Sequence, residues 1–187
     1  MNRVNAPLLS VILTVCERTQ YLEAAIRSVL AQTVSDLEVI VTDDADCETA
    51  RRICGRFSDD RRLRYRANSA KLGALLNIGA ALREARGEFA TVLNDDDQME
   101  VNMLEALLPP LVKHKNCVLS FGDRWMMNSS GRTLRQLSCA TSELRGLQNL
   151  TEGFVQAPFS LALRSGILIG MGIMFRREAL RQEWLTS

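Results

Sequence analysis

Residues 88–98 read "EFATVLNDDDQ", an apolar, partly β-branched run that ends in three consecutive carboxylates. The run "EFATVL" (88–93) has the length and composition of a buried strand. Asp95, Asp96 and Asp97 cannot follow it into a core. Side by side they repel one another, and burying them unpaired costs several kcal/mol. They must be solvated, paired, or bound to a cation.

Working outward from this stretch, the same kind of run recurs. "LLSVILTV" (8–15) and "LEVIVT" (37–42) read as strands buried on both faces, "RLRYRA" (62–67) as a more exposed strand, and "NCVLSFGD" (116–123) as a fifth. Helical spacing lies between them. "YLEAAIRSVLAQ" places Leu22, Ala25, Ile26, Val29 and Leu30 on one stripe, with Thr19 as the expected N-cap. "CETARRICGRF" predicts a short helix. "LGALLNIGAALREARG" aligns Leu72, Leu75, Leu76, Gly79 and Leu82, with Gly87 as the expected C-cap. "NMLEALLPPLVKH" predicts a helix interrupted at Pro109-Pro110. Asn128 to Gly131 predicts a chain-reversing turn, after which the pattern weakens. "RSGILIGMGIMFRREAL" then predicts one more strand leading into a helix. Alternation of this kind means an α/β chain with a mainly parallel sheet and helices on both faces. No linker or repeat divides residues 1–187, so a single domain is expected.

Composition narrows the function. With 47% hydrophobic and 24% charged residues and a net charge of +1, the chain has no overall basic field, and nucleic acid is not an expected partner. The arginines from Arg51 to Arg66 read first as a solvated helix face and loop, and second as contact with an anionic ligand or membrane surface. Cys16, Cys47, Cys54, Cys117 and Cys139 are odd in number and lack metal-ligand spacing, which fits reduced thiols in a cytoplasmic protein. The single histidine, His114, excludes sites built on several imidazoles; it reads as an exposed residue near a helix end. "PLLSVILTVC" imitates a secretion signal, but no small-residue cleavage site follows and a helix begins at once, so a first strand is expected. No apolar run reaches the ~18–20 residues of a membrane-spanning helix. Peripheral contact with the inner face of a membrane stays compatible with all of this.

In open α/β sheets, ligands bind beyond the carboxyl ends of the strands. Here the first strand ends in "TVCER", the second in Asp43-Asp44 and the fourth in Asn94-Asp95-Asp96-Asp97. If these strands are neighbours, carboxylates converge on one rim, which suits a hard divalent ion such as Mn²⁺ or Mg²⁺ shared with phosphates. Helix capping is the competing reading for each cluster alone. No glycine-rich dinucleotide fingerprint, no phosphate-binding loop with its lysine, and no GxSxG elbow is present. What remains is an enzyme that meets a diphosphate through a metal.

The blocks "LSVILTVCERTQYLEAAIRSVLAQT", "LEVIVTDDADCET", "LGALLNIGAALREARGEFATVLNDDD" and "MGIMFRREAL" resemble, in order, those of family-2 glycosyltransferases with the GT-A fold. The resemblance runs from about Leu9 to Leu180. It implies a three-layer α/β/α sandwich and transfer of a sugar, with inversion, from a UDP-, GDP- or TDP-linked donor. The acceptor hydroxyl would belong to a glycan, a lipid-linked molecule or a small molecule, in bacterial glycan or glycoconjugate assembly. Carried over residue by residue, Thr14, Val15, Cys16, Glu17 and Asp44 fall at the nucleoside, and Asn94-Asp95-Asp96 at the "DxD" motif. Asp96 then meets the metal, with Asp95 assisting and within reach of the ribose. Lys71 stands where it can approach the phosphates, or simply in a solvated loop. The sequence departs from the family at Asn94, at Cys16 (often Tyr) and at Ala45 (usually Gly). The family's general base usually lies beyond the "MFRREAL" block, where Glu183 comes too soon to align. The expectation is therefore a domain without its acceptor and base segment, the alternative being a nucleotide-sugar-binding domain that transfers nothing. If the base lies within the chain, Asp123, Glu143 and Glu152 are the candidates.

Overall fold

The computed structural model describes residues 6–155 and 172–180. Its elements are β1 (Leu9–Val15), α1 (Leu22–Leu30), β2 (Leu37–Asp43), α2 (Glu48–Gly55), β3 (Leu63–Ala67) and α3 (Ala74–Glu84). There follow β4 (Phe89–Asn94), α4 (Met103–Lys113), β5 (Leu119–Phe121), α5 (Arg135–Leu144) and β6 (Ile173–Arg176). They form a six-stranded sheet in the order β3-β2-β1-β4-β6-β5. The first four strands in that order are parallel. β6 is antiparallel to both β4 and β5, so β5 runs in the same sense as β4.

Alternation along the strands sends side chains to two cores. Val11, Leu13, Val39 and Val41 pack with Leu22, Ile26, Val29, Ile53, Leu104 and Leu111 of α1, α2 and α4. Ile12, Ile40, Ala90 and Val92 pack on the other face with Ala81, Leu82 and Ala85, at and just beyond the end of α3. The result is the expected three-layer sandwich, with β2, β1 and β4 adjacent as the site required.

Several local expectations give way to packing. α3 does not bury Leu72, Leu75 and Leu76; Leu75 is 83% exposed. On this helix Gly79 and Leu82 of the expected stripe do face inward, joined by Asn77, Ala80 and Ala81. Small residues let its backbone approach β1 and β2, and Asn77 is drawn in by Thr42, whose Oγ1 donates to Asn77 Oδ1 at 2.6 Å. Gly87 is not a C-cap: Ala85, in extended conformation, ends the helix. Gly87 is required because a Cβ there would lie 2.6 Å from Ser10 N and 2.7 Å from Leu9 C. Thr19 does not cap α1, whose N-cap is Tyr21 without a side-chain bond. α4 continues through Pro109 and Pro110. Both prolines, and Glu105 and Ala106 whose carbonyls lose the usual donor four residues on, are exposed positions of the helix. His114 is the C-cap of α4, packed edge-on against the Phe154 ring at 4.7 Å, and is not fully exposed. α5 was not foreseen. β5 is three residues long, shorter than expected, and a 3-10 turn at Arg177–Ala179 follows β6; the rest of the expected last helix lies outside the described residues.

At the amino ends of the strands, Glu38 is 2% exposed. Its carboxylate accepts from Ser10 Oγ at 2.8 Å, Arg86 N at 2.7 Å, Arg64 Nη2 at 3.0 Å and Arg86 Nε at 3.1 Å. Burial alone would raise its pKa, but these donors outweigh it and hold the carboxyl below its ordinary value. This charge cluster ties β1, β2, β3 and the α3–β4 connection together away from the rim.

Candidate functional site

Strand register sets the rim. Thr14 pairs with Thr42 on one side and Asn94 on the other, and Val15 pairs with Asp43. The ends of β1, β2 and β4 therefore stand level, and Asp43, Asp44, Asn94 and Asp95 emerge together. Thr14 Oγ1 donates to Asn94 Oδ1 at 3.2 Å. Val15 sends its side chain into the core, and its carbonyl accepts Asp44 N–H at 3.0 Å.

The two aspartates of β2 do different work. Asp43 is fully buried and accepts from Ala45 N and Cys47 N at 2.8 Å each and from Tyr65 Oη at 2.7 Å. It orients the entry to α2. Asp44 is 3% exposed and reaches across to the loop before α3. Its Oδ1 accepts from Asn68 Nδ2 and Leu72 N at 2.8 Å each, and its Oδ2 accepts from Gly73 N at 2.8 Å. Burial pushes the other way, but these bonds and the nearby Lys71 charge hold the Asp44 carboxyl below the usual range. Asn77 extends the network, accepting from Asn68 Nδ2 at 2.9 Å and donating to Thr42 O at 3.1 Å.

Behind β1 the chain turns sharply, with Glu17 in a left-handed conformation at φ 63°. This turn is tied on both sides. Lys71 Nζ donates to Glu17 Oε1 at 2.7 Å, which lowers the Glu17 pKa and raises that of Lys71. Arg18 Nη2 lies 3.1 Å from Asp96 Oδ2. The structure thus joins the β1 end to both the loop before α3 and the β4 end.

The acidic run after β4 is only partly solvated. Asp95 is 8% exposed, and burial followed by the charge of Asp96 pushes its carboxyl up to about 6. Burial and Asp96 also raise the pKa of Asp97, whose Oδ2 accepts from Asn94 Nδ2 at 3.4 Å. Among the described residues no group of three or more carboxylate, thiol or imidazole side chains forms a complete metal cage. The donor set nevertheless fits a shared ion. Two consecutive carboxylates, one of them ionised only at a cost, are what Mg²⁺ or Mn²⁺ uses when phosphates and water fill the remaining positions.

All of Thr14, Val15, Cys16, Glu17, Asp44, Lys71, Asn94, Asp95 and Asp96 border this rim. Arg18, Asn68 and Asn77 were missed. Arg18 stood in the quoted turn, but its partner lay far along the chain; Asn77 was the polar position in an otherwise apolar helix and could have been noticed. The three acidic residues considered as a base, Asp123, Glu143 and Glu152, are all exposed. Asp123 is held at the end of β5, where its carboxylate accepts from Arg124 N at 2.8 Å and from Ser142 Oγ.

Comparison with known proteins bears on the family and the fold. The family model described as "Glycosyl transferase family 2" matches residues 10–184. A Campylobacter jejuni GalNAc(5)-diNAcBac-PP-undecaprenol beta-1,3-glucosyltransferase is 38% identical over 104 residues, covering 54% of this chain and 34% of that protein. TuaG of Bacillus subtilis, a glycosyltransferase named for teichuronic acid biosynthesis, is 27% identical over 181 residues, covering 94% of this chain and 65% of its own. This chain thus spans less than two thirds of either relative. S. aureus TarS 1–349 in complex with UDP-GlcNAc superposes with a TM-score of 0.66 at 19% identity, covering 94% of this chain and 47% of that one. The mannosyltransferase PcManGT from Pyrobaculum calidifontis, in complex with GDP-Man and Mn²⁺, gives 0.56 at 19% identity, covering 65% and 37%. Both likenesses show the fold, the GT-A form of the α/β sandwich.

Proposed function

Because the chain belongs to glycosyl transferase family 2, we propose that its strand-end rim binds a nucleoside-diphosphate sugar together with Mn²⁺ or Mg²⁺ for transfer, with inversion, to an acceptor hydroxyl. Assembly of bacterial surface glycans is the setting suggested by the relatives. One observation carries this reading: Asp44, Asp95 and Asp96 stand at the carboxyl ends of β2 and β4, the parallel strands that flank β1, with the Asp95 carboxyl raised to about 6 by burial and by Asp96.

Asp96, 38% exposed, is the open carboxylate and the proposed metal ligand, with Asp95 beside it. The cation supplies Lewis-acid stabilisation of the departing diphosphate when bound. Thr14, Cys16, Glu17 and Asn94 line the approach to the nucleoside. Asp44 acts there mainly through the loop it holds, since three donors from that loop already occupy its carboxylate. Lys71 and Arg18 are the cations within reach of the phosphates, and each is now paired with a rim carboxylate.

Calorimetry with UDP, GDP and TDP tests the reading. One of these nucleotides should bind roughly 5–150-fold more tightly with Mn²⁺ than without it, the size of an ordinary coupling. Asp96→Ala should remove that difference while the melting temperature stays near wild type. Equal affinity with and without metal, in both proteins, would refute the proposal.

A further inference from the structure

Beyond the acidic rim, a cavity of about 330 Å³ opens at the end of β5, lined by Asp123, Trp125, Ser142 and Gln148 among others. Its place in the sheet follows from register. Thr91 of β4 and Ser120 of β5 both pair with Met174 of β6. Asn94 and Asp123 each lie three residues further on, so Asp123 stands level with the start of the acidic run. Two strand spacings separate them, about 10 Å.

The walls are fixed by the fold. Ser138, 2% exposed, accepts from Met126 N through its Oγ at 2.8 Å and donates to Leu134 O at 2.9 Å, which binds the segment after Trp125 to α5. A bridge between Met127 and Thr133 closes the turn between them. Ser142 of α5 donates to Asp123. Against this frame Trp125 is left 55% exposed, a large ring that nothing in its own segment covers.

An exposed indole beside a carboxylate, a hydroxyl and a carboxamide has a specific chemistry. The aliphatic C–H face of a pyranose packs on such a ring, while its equatorial hydroxyls donate to a carboxylate and exchange hydrogen bonds with Ser and Gln side chains. We infer that this cavity is the acceptor subsite, in which a glycoside stacks on Trp125 and hydrogen-bonds to Asp123 so that its free hydroxyl faces the rim. The assignment of the bound sugar as an acceptor rests on the donor-site reading above; the binding of a glycoside does not.

The test uses the full chain, ¹⁵N-labelled, and the Trp125 indole N–H resonance, assigned with Trp125→Phe. Methyl glycosides of glucose, galactose, mannose and N-acetylglucosamine are titrated separately to tens of millimolar, and UDP or GDP with Mn²⁺ in parallel. At least one glycoside should shift the indole resonance. Trp125→Ala should weaken that glycoside roughly tenfold, the scale of a lost aromatic contact. Asp123→Asn should weaken it as well, and neither change should alter nucleotide affinity. Glycoside binding without metal-coupled nucleotide binding would support the cavity and remove the donor reading. Nucleotide binding with an unmoved indole for every glycoside, or glycoside affinity unchanged in Trp125→Ala, would overturn the inference.

Discussion

Asp44 is the residue whose role the structure redefines, and Asp44→Asn tests that role. The carboxylate accepts three hydrogen bonds from the loop before α3, two of them from the backbone of Leu72 and Gly73. An amide offers one acceptor oxygen and turns its NH₂ toward the remaining donors. A hydrogen bond to a charged group is worth about 1.5–3 kcal/mol. With one bond lost and another weakened, the ordered loop should lose about 2–4 kcal/mol, a factor of roughly 30 to 1,000 in its opening equilibrium. Hydrogen exchange at the Leu72 and Gly73 amides should accelerate by at least the lower figure, and Lys71 should leave Glu17. Gly73→Ala should loosen the same loop with Asp44 intact, because φ 84° and ψ 161° form a conformation open essentially to glycine alone. The pH dependence has a definite sign. The folded Asp44 carboxyl sits below its ordinary value, so its contribution is complete above the usual carboxylate range and fades only as pH falls through the folded value. Protection of the two amides, corrected for intrinsic rates, should therefore be flat between roughly pH 5 and 8. Exchange within twofold of wild type in Asp44→Asn would refute the clamp.

Two further substitutions probe the frame that holds the rim. Glu38→Ala removes the acceptor shared by Ser10 Oγ and Arg86 N and should cost about 3–5 kcal/mol in chemical denaturation. Glu38→Gln keeps one oxygen, and the two arginines, 40% and 56% exposed, return to water, so about 1–2 kcal/mol is expected; equal effects for both variants would mean that charge, not buried acceptor capacity, sets the cost. Gly87→Ala places a methyl against the β1 backbone and should lower stability by at least about 1–3 kcal/mol; an unchanged unfolding midpoint would show that the β1–β4 contact yields freely.

The buried strands were legible because each is a continuous apolar run, whereas the adjacency of β2, β1 and β4 was only a condition of the rim and is supplied by the strand pairing. The buried face of α3 was not, because leucine count pointed one way and close packing the other. Leu72, Leu75 and Leu76 on one stripe outweigh Ala80 and Ala81 in any periodicity argument, yet a helix lying directly over β1 and β2 selects the small residues. The roles of the aspartates were half legible. A carboxylate after a strand announces a rim, but two of the three donors that occupy Asp44 are backbone N–H groups, which leave no trace in residue identity. β5 and β6 were legible as strands within "NCVLSFGD" and "RSGILIGMGIMFRREAL", but not their antiparallel pairing, which joins segments far apart in sequence.

The pairing of Arg18 with Asp96 bears on whether the proposed metal site is open. The two side chains are 76% and 38% exposed, and an exposed pair of this kind contributes about 0–1 kcal/mol. A divalent ion offers Asp96 twice the charge at bonding distance, so the guanidinium is a weak competitor. Asp95 differs, because its buried carboxyl ionises only at a cost that a neighbouring cation would remove. Arg18→Ala should therefore leave Mn²⁺ affinity in the presence of nucleotide within a few-fold of wild type unless the released guanidinium goes on to meet the diphosphate. A loss of tenfold or more in nucleotide affinity, with metal affinity alone unchanged, would assign Arg18 to the phosphates. A gain in metal affinity of that size would instead show the pair to be a barrier, contrary to its exposure.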